Sequence, residues 1–143
     1  MAVSPLPARA SAPAACETES AGPAFEVTVT GIRNAKGQIS INLYGEPGDR
    51  FMKKGAWLER VRLPAQAGEV RVCVPAPAPG LYAISLFHDE DGDGRLDQNW
   101  IGIPTEGFGF SRDAPAPLRL PRFEEAAVAL AEEISPLTIS VRY

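Results

Sequence analysis

The chain has 143 residues, 45% hydrophobic and 22% charged, which suffices for one domain with a real hydrophobic core. Thirteen glycines and fourteen prolines favour turns over long helices, and no run approaches the roughly eighteen apolar residues of a membrane-spanning helix. The net charge of −4 is local: Asp89, Glu90, Asp91, Asp93 and Asp97 against Arg95 account for all of it, and the rest of the chain is balanced. Without a basic stripe to meet a phosphate backbone, nucleic-acid binding is excluded, whereas one acidic loop on a neutral body points to a cation.

Residues 1–24, rich in Ala, Pro and Ser and without periodicity, read as a flexible tail ahead of a single domain over 25–143. "ASAPAAC" has the small residues of a secretory cleavage site without the apolar run expected before them, so it reads as a signal remnant or as a linker. Lipid attachment at Cys16 fits less well, because Pro13 stands where the motif wants Leu, Val or Ile.

"FEVTVTGIR" (25–33) alternates Phe25, Val27 and Val29 with polar or small partners and predicts a half-buried strand. A "NAKG" turn follows, with Gly37 suited to positive φ, and "QISINLYG" (38–45) alternates Ile39, Ile41 and Leu43, which predicts a hairpin with the first strand. "EPGDRFMKKGAW" is an irregular connection, and "WLERVRLPA" and "EVRVCVP" are two further strands around "QAGE". In the second, Val70, Val72 and Val74 share one face, so Cys73 points to the other and is placed to pin the tail through Cys16. That pairing requires an oxidising compartment; the alternative is two unrelated thiols, one of them buried.

"LYAISLFH" (81–88) is apolar on both faces, with Tyr82, Ile84 and Leu86 on one and Leu81, Ala83 and Phe87 on the other, and so belongs in the middle of a covered sheet. "WIGIPTEGFGFSRDAPAPLRLP" reads as a long irregular region. "FEEAAVALAEE" (123–133) is ambiguous between helix and strand, and "LTISVRY" (137–143) closes the chain as an alternating strand. About seven short strands with regular turn signals predict an all-β fold, an antiparallel β-sandwich.

The acidic loop begins where the doubly apolar strand ends. Asp89, Asp91 and Asp93 fall at positions 1, 3 and 5 of a calcium-loop pattern and Gly94 at position 6, where a sharp bend is needed. Arg95 then offers its backbone oxygen at position 7 and Asp97 its carboxylate at position 9. Such hard oxygens suit Ca2+ and offer nothing to a soft metal, although manganese and lanthanides accept similar cages. Trp100 stands at position 12 in place of the usual bidentate Glu, so a ligand must come from elsewhere. Glu106 in "PTEGFGF" is the best candidate, because that segment has to return near the same sheet end; Asn99 is a weaker one. The alternative is an exposed charged hairpin turn, which "DG" pairs also build.

The run "GLYAISLFHDEDGDGRLDQNWIGIPTEGFGFS" (80–111) resembles a family of uncharacterised exported bacterial proteins, domain of unknown function 2141. The resemblance rests on Gly80, Tyr82 and Ala83; on His88, Asp89, Asp91, Asp93 and Asp97; and on Gly102, Pro104, Glu106, Gly107, Gly109, Phe110 and Ser111. It extends more loosely from "VTVTGIRNAKGQISINLYG" to "ISVRY". Asp91 stands where the family usually has Asn, an added charge that favours a cation. The resemblance implies export, a transthyretin- or immunoglobulin-like sandwich and no established activity. It also adds weight to a Cys16–Cys73 pair, since similar members have cysteines in comparable places.

His88, the only histidine, lacks the nucleophile and orienting acid of a catalytic arrangement and reads as a strand-end residue. One His and two Cys argue against zinc or copper. Phe108 and Phe110 could form an aromatic patch for a sugar or peptide, but pack more readily on the sandwich edge. Glu124, Glu125, Glu132 and Glu133 read as the solvated ends of an Ala-rich segment. The expectation is therefore a non-catalytic periplasmic or secreted module binding a divalent cation and an unnamed protein or glycan. Ion capture is the alternative, and a hydrolase using Glu106 a third reading.

Overall fold

The computed structural model describes residues 16, 22–92, 106–115 and 120–143. Most of the tail expected over 1–24 lies outside these residues, as do the loop positions Asp93, Arg95 and Asp97 with Asn99 and Trp100.

Eight strands follow in chain order: β1 (Ala24–Ile32), β2 (Gln38–Gly45), β3 (Glu59–Pro64), β4 (Gly68–Pro75), β5 (Gly80–Asp89), β6 (Gly107–Phe110), β7 (Val128–Leu130) and β8 (Ile134–Ser140). They form two sheets, one of order β4-β1-β8 and one of order β3-β2-β5-β6, with β7 also pairing β5. The β-sandwich expected from the alternating patterns is present. Phe25, Val27 and Val29 from β1, Val70, Val72 and Val74 from β4 and Ile139 from β8 meet Ile39, Ile41, Leu43, Ile84 and Leu86 from the other sheet in one buried cluster. Removing these side chains from water supplies the main driving force for the two sheets to stack.

The pairing differs from the sequence expectation in two ways. β1 and β2 do not form a hairpin: β1 pairs β4 and β8, while β2 pairs β3 and β5. The short 33–37 segment therefore crosses from one sheet to the other. Secondly, β1 and β8 run parallel, so the sandwich is antiparallel except at this pair. β5 does sit inside its sheet, bonded to β2 along one edge and to β6 and β7 along the other.

The outer face of the larger sheet is covered at one end by a second cluster. Tyr44, Phe51, Ala83, Phe110, Phe123 and Ala126 pack there, with the Phe51 ring edge-on to Tyr44, Phe110 and Phe123. The cluster covers Tyr44 on the outer face of β2, and Ser40 and Asn42 on the same face are buried as well. The ambiguous 123–133 segment divides. Phe123–Ala126 is a single helical turn (α1), capped by Glu125 accepting from the Arg122 N–H at 2.7 Å, and β7 follows it directly. Cys16 and Cys73 are joined in a disulfide, with Cα atoms 4.8 Å apart.

Candidate metal centre at the end of β5

The strand registers assemble the site. Gln38 on β2 lies opposite Asp89, and Gly107 on β6 lies opposite His88. Antiparallel pairing then brings Glu106, one residue before β6, alongside Asp89, which is one residue beyond His88. Asp89 and Glu106 are both buried, whereas Asp91, in the turn after β5, is exposed. Ligand oxygens of Asp89, Asp91 and Glu106 lie within 4.8 Å of one another.

That separation bears directly on the chemistry. Calcium–oxygen bonds of about 2.3–2.6 Å put two ligands of one ion no more than about 5 Å apart, so these three carboxylates are close enough to share a cation. Partners also orient them. Gln38 Nε2 donates to Asp89 Oδ2 at 3.3 Å, and the Glu90 N–H donates to Glu106 Oε2 at 3.0 Å. The sequence expectation that Glu106 returns to the aspartate loop corresponds to this placement. Asp93, Arg95 and Asp97, expected to complete the ligand set, lie outside the described residues.

Glu90 points elsewhere. Arg33 grips its carboxylate with two hydrogen bonds, Nη2 at 2.6 Å and Nε at 3.0 Å, and Asn34 Nδ2 adds a third at 2.7 Å. These bonds, Arg33's foremost, hold the Glu90 carboxyl down at about 2. A folded-state value below the unfolded one means that the contribution is present above about pH 4.5 and is lost as pH falls toward 2. Arg33→Met is expected to raise Glu90 toward the ordinary carboxylate range, short of it while the Asn34 bond remains, and to reduce the acid-induced loss of stability in that window. Carboxyl carbon NMR titration measures it; an unchanged Glu90 midpoint would contradict this assignment.

Beneath the loop lies His88, fully buried. Its Nε2 is 2.6 Å from the Lys36 carbonyl oxygen, which can only accept, so Nε2 carries the proton. Nδ1 lies at hydrogen-bond distance, 2.8 Å, from the Tyr143 hydroxyl, whose oxygen accepts from the Arg33 N–H at 3.0 Å. The Arg33 guanidinium lies over the Tyr143 ring at 4.2 Å, and burial raises the Tyr143 pKa. Both imidazole nitrogens are thereby used in tying the turn before β2 to the chain terminus. With the two cysteines joined, no nitrogen–sulfur ligand set forms among the described residues.

Sequence reasoning overlooked Arg33, Asn34, Lys36, Gln38 and Tyr143, which support the loop without being acidic. The one available signal was spacing: the "RNAKGQ" turn precedes β2, and β2 pairs with the strand that leads into the loop.

The profile of a family described as an uncharacterised protein conserved in bacteria matches residues 27–137. Neither the curated proteins nor the solved structures contain a significant match to this chain.

Proposed function

The chain belongs to DUF2141, a family of uncharacterised bacterial proteins, and from that premise we propose that it is a non-catalytic binding module, periplasmic or secreted, in which a hard cation stiffens the loops at one sheet end. The observation that carries this reading is the convergence of Asp89, Asp91 and Glu106 from two strand ends onto one point. The donor set they present is all oxygen, which suits a hard cation. Calcium is the assigned cation by availability, with Asp93, the Arg95 carbonyl and Asp97 as the remaining expected ligands.

Export is supported by the disulfide, which persists in oxidising compartments, and among the described residues no helix is long and apolar enough to cross a membrane. Glu106 is only 7% exposed and its carboxylate lies beside those of Asp89 and Asp91, which favours an ion ligand over the acid of the hydrolase reading. The expected affinity is modest, with a Kd on the order of 10⁻⁴ to 10⁻³ M as in extracellular modules. A tenfold excess of calcium over that value stabilises the fold by about 1.4 kcal/mol. Differential scanning calorimetry of chelator-treated protein with and without calcium tests this. A rise in Tm that saturates in the millimolar range supports a structural ion. Saturation below micromolar would make ion capture the function, and no rise would leave a charged turn.

A further inference from the structure

Away from the acidic cluster, the outer face of the β3-β2-β5-β6 sheet holds a cavity of about 420 Å³, within the roughly 300–1,000 Å³ usual for small-molecule sites. Five aromatic side chains line it: Tyr44 from β2, Trp57 from the connection before β3, Phe87 from β5, and Phe108 and Phe110 from β6. Its charge is one-sided. Lys53, Lys54 and Arg60 line the cavity, and none of the described lining residues is acidic.

Arg60 is held in place. Its guanidinium stacks on the Trp57 ring at 3.6 Å, and Nε donates to Asn42 Oδ1 at 2.7 Å. No carboxylate among the described residues pairs with it. Burial, with Arg62 nearby, pushes its pKa below the usual guanidinium value. A second, independent observation comes from Ser85 on β5. Its side chain lines the same cavity, the residue is only 3% exposed, and among the described residues nothing meets its hydroxyl in hydrogen-bond geometry. Burial raises the Tyr44 pKa, and the approach of its hydroxyl to that of Ser85, looser than full hydrogen-bond geometry, lowers it. Buried hydroxyls are normally satisfied, and this one is placed to donate into the cavity.

We propose that this cavity is a binding site for a small organic anion with a flat apolar body, an aryl or unsaturated carboxylate. The rings enclose the body, Arg60 and the two lysines take the carboxylate charge, and Ser85 donates to one of its oxygens. The site is independent of any cation at the acidic cluster, although β6, which carries Phe108 and Phe110, begins directly after Glu106.

Calorimetric titration with cinnamate and with cinnamyl alcohol tests the proposal, because the two differ in little besides charge. Cinnamate is expected to bind at least about tenfold more tightly than the alcohol, and less tightly at high salt. The Lys53→Gln, Lys54→Gln double variant changes only exposed side chains and is expected to weaken cinnamate several-fold while leaving the alcohol unchanged. Arg60→Gln is expected to cost cinnamate roughly tenfold, and Ser85→Ala a smaller factor. Equal affinity for acid and alcohol, no binding of either in the millimolar range, or variants that bind cinnamate like the parent would overturn it.

Discussion

Breaking the Cys16–Cys73 bond is expected to lower stability by about 4 kcal/mol, because it releases a closed loop spanning 57 residues in the unfolded chain. In a domain of this size that corresponds to a fall in Tm of roughly 10–15 °C. The location adds to the effect. β4 is an edge strand of its sheet, and Cys73 sits on it opposite Glu26 of β1, so the bond staples residue 16 to a sheet edge. Guanidinium unfolding of the Cys16→Ala, Cys73→Ala double variant beside the oxidised parent measures the difference. Coincident midpoints would show that the bond contributes nothing to the fold.

Gly37→Ala is expected to destabilise by about 3 kcal/mol or more, and to disturb the candidate metal centre at the same time. Gly37 has φ of +67°, a left-handed conformation that alanine adopts only at a cost. A Cβ at this position would also overlap the backbone carbonyl of Asp89. That obstacle is backbone, which cannot move aside without shifting the Gln38–Asp89 register. Denaturant titration and calcium titration of the same variant should both show the change. A loss of stability below about 0.5 kcal/mol, the ordinary scale of a surface substitution, would contradict the close approach.

The fold was legible wherever burial imposes a period of two. Phe25, Val27 and Val29, then Ile39, Ile41 and Leu43, announce their strands because each set faces the same core. The doubly apolar β5 announced its central position for the same reason. Pairing partners were not legible, since an inward-facing alternation is the same whether a strand bonds to its chain neighbour or to one 110 residues away, as β1 does to β8. β6 was hidden for a different reason. "GFGF" reads as a loop by propensity, yet a Cβ at Gly107 would strike the Tyr143 ring and one at Gly109 the Ser140 carbonyl. These glycines serve close packing, a requirement that appears only once β8 is in place.

The candidate metal centre was half legible. Alternating aspartates state their pattern locally, and the need for a returning ligand pointed to Glu106. The Arg33 clasp on Glu90 and the His88–Tyr143 bond join residues 55 or more positions apart and carry no local signature. The aromatic cavity draws its walls from residues scattered between Asn42 and Leu120, so no single stretch displays it.

The central claim, a cation held by the loop at the end of β5, is tested most directly by calorimetric titration of chelator-treated protein with calcium, using the parent, Glu106→Gln and the Asp91→Ala, Asp93→Ala double variant. The account predicts one site in the parent with a Kd on the order of 10⁻⁴ to 10⁻³ M, weaker binding in Glu106→Gln and none in the double variant. Absence of binding in the parent, or equal binding in all three proteins, would contradict it.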